Sequence, residues 1–110
     1  MKLPNGEHAI VDLAKLRDYC LDPMHPRGRH KARVFAAALG LYADHSEHVR
    51  ELLLRAAQTE EVAAIDQDAY GQRYSLDFIL IGLTGQAMVR SSWIIRDGED
   101  FPRLTSCYVL

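Results

Sequence analysis

The residues best equipped for chemistry lie between Pro26 and Arg33, where Arg27, Gly28, Arg29, His30, Lys31 and Arg33 crowd together. A helical pattern starts near Arg29 and places His30 in a first turn. Helix N-termini hold anions through unpaired amides and a partial positive charge, and Arg27, Arg29 and Lys31 add to that pull. An imidazole beside a held phosphate can give or take a proton. The competing reading is structural: His30 borders the apolar stripe of Val34 and Ala38 as an ordinary surface residue.

The C-terminal half supplies a second polar set. Alternation along Ala87–Arg96 separates Val89, Ser91, Trp93 and Ile95 from Met88, Arg90, Ser92, Ile94 and Arg96. Along Arg103–Leu110 it separates Arg103, Thr105, Cys107 and Val109 from Leu104, Ser106, Tyr108 and Leu110. An open sheet face could thus carry Arg90, Ser92 and either Thr105 or Tyr108, because a register slip of one residue exchanges the two sets. Solvated strand residues are the plainer reading of all four.

Other chemistries find less to work with. His8, His25, His30, His45 and His48 show no metal-binding helical pair, and Cys20 and Cys107 are far apart without ligand spacing, so neither a metal nor a cofactor is expected. No Walker or dinucleotide pattern occurs, and Gly82 and Gly85 mark a hairpin. Trp93 reads as a packing anchor, and Tyr70, Tyr74 and Phe78 as sheet packing. Cys107 has no base beside it on its strand and reads as inert.

The elements that must position these residues follow from the pattern. A chain of 110 residues with 48% hydrophobic and 25% charged content fits one domain, and no apolar run reaches membrane-spanning length. The first residues lack the apolar core of a signal peptide, so a cytoplasmic protein without membrane partners is expected. The net charge of −2 hides a basic stretch, Lys15–Arg33 at +4, and an acidic one, Asp44–Asp68 at −5. Two solvated helix faces of opposite sign explain this most simply.

Asp12 caps a helix over Leu13–Cys20, two prolines interrupt the chain at Asp22–Gly28, and a second helix runs from Arg29 to Leu39 before Gly40. A third opens at Asp44, in a capping-box pattern with Glu47, and ends near Ala57. Strands follow at 72–81, 87–96 and 103–110, joined by short turns that make antiparallel neighbours. Residues 59–69 fit either a loop or a helix extension. The expected fold is α+β: a helical half at 12–58 packed on one face of a three- to four-stranded antiparallel meander at 72–110.

Four segments carry a resemblance: Leu16-Arg17-Asp18-Tyr19-Cys20-Leu21, His25 through Phe35, Tyr70-Gly71-Gln72-Arg73-Tyr74, and Trp93 through Arg103-Leu104-Thr105-Ser106-Cys107-Tyr108. Together they resemble a bacterial family of domains of unknown function, with Gly-x-His-Lys-Ala and Pro-Arg-Leu-Thr as the most specific blocks. Its members stand alone, and similar domains sit at the tips of large secreted toxins, which implies a toxin or effector domain. In element order the chain is also similar to the barnase–EndoU–colicin–RelE group of metal-independent ribonucleases. It departs from barnase in offering no strand glutamate as general base.

The resemblance implies a ribonuclease-like toxin of a toxin–antitoxin or effector–immunity pair. His30, Lys31, Arg90, Thr105 and Tyr108 would be its catalytic set, with Arg27, Arg29, Arg33, Ser92 and Arg103 binding phosphate or RNA. RNA and a cognate antitoxin or immunity protein would be its partners. The alternative is a non-catalytic interaction module whose acidic stretch masks a basic partner. A homodimer built on exposed strand edges is a third expectation.

Overall fold

Asp12 does cap the first helical segment: in the computed structural model, which describes Met1–Leu110, its Oδ1 accepts from Ala14 N–H at 3.0 Å. Helix α1 (Leu13–Lys15) widens at once into a π-helical turn, Leu16–Cys20, closed by Leu21 N–H on the Leu16 carbonyl. Helix α2 spans Arg29–Leu39, and Gly40 ends it at φ 67°, a left-handed conformation costly for residues with a Cβ.

The third helix departs from its expected start. Residues Ala43–His45 form a 3-10 turn in which His45 Nδ1 accepts from Tyr42 N–H at 2.9 Å. Helix α3 proper runs Ser46–Thr59, and Ser46 Oγ donates to the Ala43 carbonyl. Asp44 therefore sits inside the entry turn, because the His45 ring has taken the capping position.

The sheet has four antiparallel strands in the order β1-β2-β3-β4: Val62–Asp68, Gly71–Ile81, Gln86–Arg96 and Arg103–Val109. The architecture is α+β, with helices first and sheet second. Strand β1 corrects the expectation for residues 59–69: most of that stretch is neither loop nor helix extension but a fourth strand, so the sheet begins at Val62. All its residues but Val62 are exposed, so it pairs with β2 through backbone alone and carries no hydrophobic alternation.

The helices cover one sheet face. Leu76, Phe78 and Leu80 of β2, Val89 and Trp93 of β3, and Leu104 and Cys107 of β4 join Leu16, Phe35, Leu39, Val49 and Leu53 in one buried cluster. Fully burying side chains of this size contributes about 1.5–3 kcal/mol each. Trp93 Nε1 donates to the Ser91 hydroxyl at 2.9 Å, so the one polar atom of the central ring is satisfied. Cys20 and Cys107 meet in the same core as free thiols. The neighbouring Cys107 thiol lowers the Cys20 pKa, while Cys20 and full burial raise that of Cys107.

The β2–β3 turn is fixed by the end of α2: Leu83 and Thr84 donate to the Leu39 carbonyl at 2.8 and 3.2 Å. A side chain at Gly82 would meet that same oxygen at 2.3 Å, so the close approach requires glycine.

Candidate functional site

Strand β4 decides what the open face presents. Ser92 pairs with Ser106 and Trp93 with Leu104, leaving Thr105 as the extra residue of a β-bulge. A bulge resets the alternation. Leu104 and Cys107 can therefore both enter the core, while Tyr108 lies opposite Arg90 on the other face. Either Thr105 or Tyr108 was expected on the polar surface; the bulge makes both partly accessible.

Thr105 is the junction of three surface pockets. One, of about 400 Å³, is lined by Lys15, Tyr19, His25, Arg27 and Thr105, where the first helical segment and the proline-interrupted turn meet β4. A second, of about 310 Å³, crosses the sheet along Asp66, Arg73, Ser75, Ser92, Ser106 and Thr105. Thr105 Oγ1 is held by donation to the Ser92 carbonyl at 3.1 Å.

His25 is the imidazole of this surface. Its Nδ1 accepts from Arg27 N–H at 3.0 Å and Gly28 N–H at 3.1 Å, and its ring meets Tyr19 edge-on with centroids 4.8 Å apart. With Nδ1 occupied as an acceptor, the neutral ring carries its proton on Nε2 as a donor of fixed orientation. Neither Lys15 nor Arg27 has an ion-pair partner in the chain. The pocket thus combines two uncompensated cations, an oriented N–H and two hydroxyls, a set suited to a phosphate group.

A second cluster lies farther along β4. Lys31 Nζ sits 4.2 Å from the centre of the Tyr108 ring. Tyr108 in turn meets the Arg90 guanidinium, which Asp77 grips through two hydrogen bonds of 2.8 Å. Hydrogen bonds from Arg90 hold the Asp77 carboxyl below its ordinary range, and the Arg90 pKa is raised in return.

Of the residues singled out in the sequence, Lys31, Arg90 and Tyr108 come together in this second cluster, and Arg27 and Thr105 share the first pocket. Ser92 lies between Ser75 and Ser106 in the middle of the sheet face. His30 does not join them. It lies about 140° around α2 from the buried Phe35, is exposed, and lines no pocket. Arg29 and Arg33 are likewise exposed on α2 outside the pockets. Arg103 is compensated by Glu99 at 3.0 and 2.9 Å, just as Arg90 is by Asp77, so neither presents a free charge.

The sequence pattern singles out His30 and not His25, which stands in a loop rather than at a helix start. The available signal was His25-Pro26-Arg27-Gly28, a histidine bracketed by Pro23 and Pro26 and followed by two backbone donors. No three His, Cys, Asp or Glu side chains converge as a metal ligand set, and no helix is long and apolar enough to cross a membrane.

Among solved structures, the chain is similar to one from a contact-dependent growth inhibition toxin–immunity protein complex of Klebsiella pneumoniae 342. The TM-score is 0.70 at 16% identity, covering 90% of this chain and 97% of that one, a likeness of fold. No curated protein matches in sequence. The sequence model of one family matches residues 2–110, and the chain belongs to that family, the domain of unknown function DUF6883.

Proposed function

We propose that the domain is a metal-independent, ribonuclease-like toxin of a bacterial toxin–antitoxin or effector–immunity pair, acting on RNA in the cytoplasm. The observation that carries this reading is the His25 Nε2–H, fixed by two backbone donors at Nδ1, beside Thr105 and the unpaired cations Lys15 and Arg27. The shared fold with a chain from a toxin–immunity protein complex supports it.

In this proposal a phosphodiester seats against Lys15, Arg27, Thr105 and the His25 Nε2–H. The donors are oriented toward the charge that grows on the phosphate oxygens, usually the largest catalytic contribution. The neighbouring 2′-oxygen attacks phosphorus, its proton passes to water, and the bond to the 5′-oxygen breaks. Water protonates the leaving oxygen, and Tyr108, in the second cluster farther along β4, stacks on the base of a flanking nucleotide. Lys31 and Arg90 hold the phenol in place, and the Ser75–Ser92–Ser106 row carries the flanking strand.

The same neighbour favours a second reading, since its complex holds an immunity protein as well as a toxin. Asp44, Glu47 and Glu51, on the entry turn and first turns of α3, are exposed without ion-pair partners and offer acidic groups to a basic partner.

Induced expression in a bacterial host separates the two. Wild type and His30→Ala are expected to arrest growth with discrete RNA fragments. His25→Ala and Tyr108→Ala are expected to relieve arrest while keeping the wild-type circular dichroism spectrum. Unaffected growth and intact RNA with soluble wild-type protein would establish the interaction module instead.

A further inference from the structure

Besides the outer edges of β1 and β4, the sheet leaves a further stretch of backbone unpaired, on β2 away from the pockets described above. Pairing between β1 and β2 begins only at Val62↔Leu76, next to an irregularity between Val62 and Ala64, and runs toward Gly71. Residues Asp77–Ile81 of β2 therefore have β3 on one side and no strand on the other. None of the backbone hydrogen bonds outside the regular elements reaches these five residues.

Edges of this kind are usually protected by lysine, proline, a bulge or a covering segment, because an open edge templates the addition of another strand. On β2 itself this stretch has no lysine, proline or bulge. It reads Asp-Phe-Ile-Leu-Ile, and its one charge is already engaged by Arg90. Ile79 and Ile81 are 57% and 69% exposed. Beside the edge lies a groove of about 210 Å³, with Leu52, Arg55, Ala56, Thr59 and Glu60 on its helical side and Phe78–Ile81 on its strand side.

We infer that this edge pairs with the same edge of a second copy of the chain, joining two four-stranded sheets into one. The arrangement is antiparallel about a two-fold axis near Ile79, which places Phe78 against Leu80 of the other copy and Ile79 against its own equivalent. Its centre, Phe78–Leu80, is apolar read in either direction, as an interface between identical surfaces requires. The charges on the groove agree with a second copy as occupant. Arg55 and Glu60 line it at different positions and have no ion-pair partner in the chain, so the two-fold brings Arg55 of each copy toward Glu60 of the other.

The interface lies across the sheet from β4, so dimerisation leaves the Thr105 pockets open. It does not rest on the proposed activity, and either can fail without the other.

Sedimentation equilibrium on the purified chain tests the inference. Wild type is expected at twice the 12.4 kDa chain mass. Ile79→Lys puts like charges face to face across the axis and is expected to give the monomer, with unchanged circular dichroism. Arg55→Glu is expected to weaken the dimer at least tenfold, and Arg55→Glu with Glu60→Arg to restore it. A wild-type chain that stays monomeric at ~1 mM overturns the inference, as does a dimer that Ile79→Lys leaves intact. So does a wild-type chain that pairs through this edge only with a different protein.

Discussion

Asp77 on β2 grips Arg90 on β3 through two hydrogen bonds of 2.8 Å, and Tyr108 on β4 meets the same guanidinium. One ion pair therefore ties three strands together and orients the phenol of the proposed site. Asp77→Asn is expected to lower the melting temperature at pH 7, and the gap depends on pH with a definite sign. Arg90 holds the Asp77 carboxyl below its ordinary value of 3.8. The stabilisation is therefore fully present above pH 3.8 and is lost as pH falls through the lower folded-state value. Thermal melts of wild type and Asp77→Asn are expected to converge in strong acid and to stay apart from pH 5 to 7.

Ser91 is the buried partner of the Trp93 indole, and its hydroxyl also donates to the Leu76 carbonyl at 3.4 Å. Ser91→Ala leaves the indole N–H unsatisfied in a fully buried setting, which costs about 1–3 kcal/mol. Trp93→Ala opens a cavity at the centre of the sheet and costs about 3–5 kcal/mol. Urea denaturation is expected to show both as lower midpoints, with the larger loss for Trp93→Ala.

The helices and three of the strands were legible because each buries a periodic face. Leu76, Phe78 and Leu80 alternate along β2, and Phe35 and Leu39 return to the core at helical spacing. Strand β1 was hidden for the converse reason: a strand held by backbone pairing, with both faces wet, leaves no hydrophobic signature. The site was legible only in part. Lys31, Arg90 and Tyr108 were identified by residue type, but their convergence depends on the bulge at Thr105, which resets alternation without marking the sequence. His30 follows from the helix-start pattern, whereas the fixing of His25 by the backbone of its own turn shows only in the fold.

Gly82 separates the α2 terminus from the β2–β3 turn by less than a methyl group. A Cβ there would lie 2.3 Å from the Leu39 carbonyl, which accepts the two hydrogen bonds that hold the turn. The backbone must shift to admit it, so Gly82→Ala is expected to cost about 1–3 kcal/mol, as overpacking does. Amide hydrogen exchange is expected to localise that loss, with Leu83 and Thr84 exchanging faster than in wild type.

The distribution of compensated and free cations makes the last prediction. Arg103 is neutralised by Glu99, while Lys15 and Arg27 around His25 have no acidic partner. A phosphate strand gains most from charges that are not already paired, and each phosphate contact adds to the salt dependence of binding. For single strands the slope of log affinity against log salt is about −0.7 per contact. Fluorescence anisotropy with a generic single-stranded DNA, which lacks the attacking 2′-hydroxyl and stays intact, reads that slope directly. Lys15→Ala and Arg27→Ala are each expected to reduce its magnitude by about 0.7. Arg103→Ala is expected to leave it nearly unchanged, because removing Arg103 also frees the charge of Glu99. Equal losses at all three positions would place the strand along the whole β4 edge instead of in the His25 pocket.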